Sequence, residues 1–79
     1  MTTIIRGRLT ADPELRFTPN GAAVANFTIA EDVRKKQPTG EWETVATTFW
    51  RCSIWREAAE NVTNSLHKGD AVLAVGQAK

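Results

Sequence analysis

The chain has 79 residues, 42% of them hydrophobic and 24% charged, with a formal net charge of +1. That length allows one small domain whose core barely offsets chain entropy, and the near-zero charge excludes bulk basicity, so any basic patch is local. No run is apolar and long enough to span a membrane as a helix, no signal peptide is expected ahead of the fold, and the single Cys52 forms no internal disulfide and reads as a reduced, inward-facing thiol.

Thr2 to Leu9 predicts the first strand. Ile5, Gly7 and Leu9 share one face and Ile4, Arg6 and Arg8 the other. Gly7 inside a strand marks a bend or a close backbone approach. Ala11 to Gly21 is a connection, opened by Asp12-Pro13 and closed by Pro19-Asn20-Gly21. Between them, Leu15 and Phe17 either anchor the loop or continue the pairing. Ala22 to Ala30 predicts the second strand, with Ala23, Ala25, Phe27 and Ile29 on an apolar face. The other face carries the smaller Val24, Asn26, Thr28 and Ala30.

Glu31 to Glu43 is polar and without period. It reads as a long hairpin tip carrying the basic run Arg34-Lys35-Lys36, the turn Pro38-Thr39-Gly40 and, beside it, Trp42. This is either an arm for a charged polymer or a solvated charge run with a Trp folded back on it.

Thr44 to Arg56 predicts the third strand. Trp50, Cys52 and Ile54 form its apolar face; Phe49, Arg51, Ser53 and Trp55 form the other. Aromatics offer flat surfaces for bases and Arg a charge for phosphates. The competing reading is a second hydrophobic layer with Arg51 at its rim. Glu57 to Lys68 predicts the one helix, with Ala59, Val62 and Leu66 as its apolar stripe. Glu57 and Glu60 stand in its first turn, His67 and Lys68 in its last, and Gly69 at the left-handed cap. Asp70 to Lys79 predicts the fourth strand, with Val72, Ala74, Gly76 and Ala78 on one side and Leu73, Val75 and Gln77 on the other.

Catalysis is not expected. There is no glycine-rich phosphate loop, and no Cys/His cluster has ligand spacing. Asp12, Asp32 and Asp70 read as turn or loop residues, and nothing marks a partner for His67. No cofactor and no metal are implied. Three strands, a helix and a strand over residues 1–79 point to an all-β domain with one helix, of the OB-barrel type. That fold closes with a further strand, which is expected to be missing here.

The run Gly7-Arg8-Leu9-Thr10-Ala11-Asp12-Pro13-Glu14-Leu15-Arg16-Phe17-Thr18-Pro19-Asn20-Gly21 resembles the first half of the bacterial single-stranded DNA-binding proteins, as does Ala22 to Ala30. Phe49 to Val62 resembles the third strand and helix of the actinobacterial members, and Lys68-Gly69-Asp70 the following turn. The resemblance spans about Thr3 to Gln77. It implies a five-stranded Greek-key OB fold and sequence-tolerant binding of single-stranded DNA in replication, recombination and repair. It also implies a cytoplasmic, nucleoid-associated protein that assembles through strand edges as a homotetramer. The family's stacking positions fall on Phe49 and Trp55, with Arg51 between them. Its hairpin falls on Glu31 to Glu43, where Lys35 stands near the place of an aromatic and Trp42 replaces it. The cations expected to track the DNA backbone are Arg6, Arg8, Arg34, Lys35, Lys36, Arg51 and Arg56.

Family members continue through another hairpin, a closing strand and a tail that recruits other proteins. Here those are expected to be absent, and the small Ala74 and Ala78 stand where larger apolar residues are usual. The expected barrel is therefore incomplete. Two alternatives stay open: an OB-fold interaction or assembly module that binds DNA weakly, and a fragment that does not fold alone.

Overall fold

The computed structural model describes residues 2–77. Five strands and one helix follow in order: β1 Thr2–Leu9, β2 Glu14–Phe17, β3 Ala23–Lys36, β4 Trp42–Trp55, α1 Glu57–Ser65 and β5 Ala71–Gln77. All pairings are antiparallel. β3 is the spine. β4 pairs along one of its edges from Val24↔Trp55 to Lys36↔Trp42. Its other edge takes β2 near its start and β1 at Arg8↔Ala30 and Leu9↔Ile29, with β5 outside β1. The helix falls between β4 and β5, as an OB fold requires. Among the described residues β4 and β5 do not pair, so the sheet stays open.

The first strand lies where its alternation places it, one of the two readings left open for the following segment holds, and the expectation for the basic run changes. The Glu14-Leu15-Arg16-Phe17 segment is a strand: it pairs in register with Ala23 to Asn26, so Leu15 reaches the core beside Ala25. The basic run is also strand. β3 continues to Lys36 and β4 begins at Trp42, leaving only a tight turn in which Gly40 takes φ 88°. Polar residues hide this pairing from a reading based on burial, because a two-stranded ribbon in solvent has no apolar face to alternate. Asp32 accordingly sits in β3 and accepts the Thr47 hydroxyl at 2.9 Å, across the ribbon.

The core is narrow. Leu9, Ala23, Ala25, Ile29 and Ala59 are its buried apolar residues, and the Ala59 face of α1 lies on Ala23 and Ala25, flanked by Leu15 and Ile54. Alanines on both sides of this contact let helix and sheet approach closely. Gly7 does the same for β1: a Cβ there would collide with the Ala30 carbonyl and stand 2.7 Å from Ile29 Cγ2. The glycine is therefore fixed by the crossing of β1 over β3.

α1 is shorter than its stripe predicts. It ends at Ser65, and Leu66 turns extended at the C-cap. His67 and Lys68 lie beyond it, their backbone N–H groups donating to Asp70 Oδ2 at 2.8 Å and Asp12 Oδ1 at 2.7 Å. Gly69, at φ 90°, belongs to the turn into β5 and does not cap the helix. The two carboxylates offer these N–H groups partners that a further helical turn would not. Ala78 lies outside the described residues.

The Cα radius of gyration is 15.0 Å, against about 12 Å for a compact chain of this length. The long axis measures 55 Å, because the β3–β4 ribbon projects from the body.

Candidate nucleic-acid interface

Cross-strand partners share a face, so the β3–β4 register arranges one surface into rungs. From the body outward they are Val24–Trp55, Asn26–Ser53, Thr28–Arg51, Ala30–Phe49, Asp32–Thr47, Arg34–Thr44 and Lys36–Trp42. Arg16 extends the first rung, Glu14 the second and Arg8 the fourth. Phe49 and Trp55 are 65% and 53% exposed, so they cover no second hydrophobic layer. Trp50, Cys52 and Ile54 lie half-buried on the opposite side of β4. There the Trp50 indole N–H donates to Glu31 Oε1 at 3.3 Å. Cys52 is half-buried rather than enclosed, and burial still pushes its thiol pKa up, which keeps it protonated.

Trp42 is the residue whose place alternation cannot give. Counting by twos from Phe49 puts it with Trp50, on the wrong side. The ladder breaks once: Val33 pairs Ala46 and Arg34 pairs Thr44, so Val45 is an extra residue in β4. This β-bulge reverses the parity of everything beyond it. Trp42 thereby joins Phe49 and Trp55 on one face and is 60% exposed. The ladder runs six steps from the Trp55 rung to the Phe49 rung, and six more to the Trp42 rung. At the strand rise, each interval is about 20 Å.

The cations distribute by the same rule. Arg34 and Lys36 stand on the aromatic face with Arg51, whereas Lys35 pairs Glu43 on the reverse. Arg6 and Arg8 project from the matching face of β1; Arg8 Nη1 donates to the Gly69 carbonyl at 2.9 Å, which fixes its guanidinium at the sheet margin. Arg16 is tied to Glu14, the one ion pair among the described residues. The remaining cations have no ion-pair partner among the described residues. Arg56 follows β4 in a left-handed conformation (φ 63°, ψ −135°), and its N–H donates to the Ala23 carbonyl at 2.7 Å. With Trp55, Thr18, Asn20, Gly21 and Ala22 it lines a recess of about 400 Å³ at the body end of the track.

The sequence reading passed over Arg16 and Asn26. Arg16 lies in β2, a segment whose pairing the sequence left as one of two readings. Asn26 carried a signal, since it is a polar residue amid small ones on the open face. The structure places it opposite Ser53, whose hydroxyl donates to Asn26 Oδ1 at 2.7 Å. Among the described residues no group of His, Cys, Asp and Glu could hold a metal ion, and no helix is long and apolar enough to cross a membrane.

An open five-stranded sheet with this strand order and helix position, bearing exposed aromatics between cations, defines the class of small OB-fold binding domains. The model of the single-strand binding protein family matches residues 1–79, and the chain belongs to that family. It is 58% identical over 79 residues to a single-stranded DNA-binding protein of Mycobacterium bovis, covering 99% of this chain and 48% of that one. The protein of the same description from Mycolicibacterium smegmatis is 56% identical, again across 48% of its length. That from Corynebacterium glutamicum is 51% identical over 74 residues, 92% of this chain and 33% of that one. The chain thus spans about half or less of these relatives. Among solved structures, the small single-stranded DNA-binding protein from Streptomyces coelicolor superposes with a TM-score of 0.88 at 26% identity, covering 96% of this chain and 68% of that one.

Proposed function

We propose that this chain binds single-stranded DNA, without catalysis and with little sequence selectivity. Bases stack on Trp55, Phe49 and Trp42, while Arg8, Arg34, Lys36, Arg51 and Arg56 meet the phosphates. The observation that carries this is the recurrence of an exposed aromatic every six ladder steps along one face, with unpaired cations between. The names of the relatives, all single-stranded DNA-binding proteins, support it. A role in replication, recombination and repair, at the nucleoid, follows from such binding.

Stacking is worth roughly 1–3 kcal/mol per base by alanine substitution. Five phosphate contacts give a log–log salt slope of about −3.5 on a single strand. The test is a titration with oligo-dT, followed by tryptophan fluorescence at two salt concentrations. Quenching that weakens with salt, and about 10-fold or greater affinity losses in Phe49→Ala and Trp55→Ala, are expected. Unchanged affinity in both variants overturns the mechanism.

A second reading, assembly with further chains up to a homotetramer, is favoured by one observation. Ile4, Leu73 and Val75 stand 60–66% exposed on adjacent positions of β1 and β5. This patch lies on β1 and β5, apart from the ribbon but on the face that also carries Arg6 and Arg8.

A further inference from the structure

We infer that the Asp32 carboxylate weakens the hold of the ribbon on a bound strand, and so makes the ribbon half of the aromatic face the half that lets go first. The inference rests on the binding function proposed above.

Among the rungs that β3 and β4 present on the aromatic face, Asp32 is the one acidic residue. Glu14, which extends the Asn26 rung from β2, is ion-paired with Arg16. Asp32 has no ion-pair partner among the described residues. It accepts the Thr47 hydroxyl at 2.9 Å, a bond that crosses from β4 to β3 and holds the carboxylate over the ladder. Both residues are exposed, and a neutral donor leaves the negative charge in place.

The neighbouring rungs give this charge its consequence. The Ala30–Phe49 rung lies one rung-spacing, about 7 Å, toward the body, and Arg34 stands about as far toward the tip, followed by Lys36. A strand with a base on Phe49 and phosphates at Arg34 and Lys36 crosses the Asp32 rung. The rungs from Trp55 to Phe49 set no acid in its way. Phosphates passing at about one rung-spacing are repelled, which corresponds to roughly two- to three-fold in affinity at 0.1 M salt. The screening length there, about 10 Å, exceeds the rung-spacing but not the length of the face, so the effect is local to the crossing. The cations and Trp42 beyond it still attract the strand, but it is held less firmly there than on the body.

The experiment titrates the whole chain and its variants with oligo-dT of about 6 and about 16 nucleotides, within the span of one OB fold. Thymine has no exocyclic amino group to meet the carboxylate, so the charge is read alone. Asp32→Asn keeps an acceptor for Thr47 and removes the charge. It is expected to tighten the long strand about two- to three-fold at 0.1 M salt, more at 0.01 M, and the short strand less. Asp32→Glu keeps the charge and should bind as the wild type does. Glu43→Gln removes the same charge from the reverse of the ribbon, where Glu43 pairs Lys35, and should bring little of the gain. Trp42→Ala should cost more affinity in the Asp32→Asn background than in the wild type, because the tip is then engaged for more of the time. Equal gains on both strands, an equal gain in Glu43→Gln, or no gain in Asp32→Asn overturns the inference and leaves the binding function standing. Failure of the wild type to bind either strand overturns the binding function itself, and this inference with it.

Discussion

At the scale of single residues, the two aromatics that parity placed outward are the ones the structure exposes. Alternation was decisive for Phe49 and Trp55 because their neighbours Trp50, Cys52 and Ile54 had a core to face. The sequence marks Arg56 only as a cation, and its backbone is the more unusual feature. A φ of 63° with ψ −135° is territory that glycine occupies and other residues enter at a cost, of order 1–3 kcal/mol. The position both closes β4 onto Ala23 and starts α1, so the chain must reverse there within one residue. Glycine would relieve the strain but would remove the guanidinium from the recess beside Trp55. Arg56→Gly is therefore expected to raise stability by about 1 kcal/mol while weakening oligonucleotide binding. Arg56→Ala should weaken binding alike without the gain. Urea denaturation midpoints beside the fluorescence titration check this, and a lower midpoint for the glycine variant would show that the turn is unstrained.

At the scale of elements, the ribbon formed by β3 and β4 decides how far the aromatic face extends, and it was the least legible part of the sequence. β1 could be read because burial alternates along it. β2 stayed one of two open readings, being short and enclosed by turn residues, and the outer half of the ribbon could not be read because neither of its faces is buried. A bulge leaves no residue-type signature at all: Val45 is an ordinary strand residue, and only the paired register reveals it as extra. Its consequence is testable by moving the indole. Trp42→Ala should lose one stacking contact, roughly 1–3 kcal/mol. Exchanging Trp42 and Thr44 keeps the ring on the aromatic face, and should retain most of the affinity for an oligonucleotide long enough to reach the ribbon. Exchanging Trp42 and Glu43 turns it to the reverse, beside Lys35, and should match the alanine variant. Equal affinities for the two exchanged proteins would mean that the ring contributes from either face and that the bulge does not position it.

At the scale of the whole molecule, the balance between core and surface argues that the isolated chain is not its most stable form. The buried apolar set is Leu9, Ile29 and three alanines, a small yield from 79 residues when fixing each one opposes folding by about 1–2 kcal/mol. Meanwhile Ile4, Leu73 and Val75 stay exposed in one patch, and among the described residues no further strand pairs outside β4 or β5. Large apolar side chains clustered on a sheet face mark a surface that another surface covers. If copies of this chain cover one another there, folding is linked to association, and each tenfold rise in protein concentration adds about 1.4 kcal/mol per dimer. The thermal midpoint should then climb by a few degrees per decade of concentration. Leu73→Glu, which puts a charge opposite Arg6 in the middle of the patch, should lower the midpoint and flatten that dependence. A midpoint independent of concentration in the unaltered chain would show that the open sheet is stable by itself. The exposed patch would then play no part in assembly.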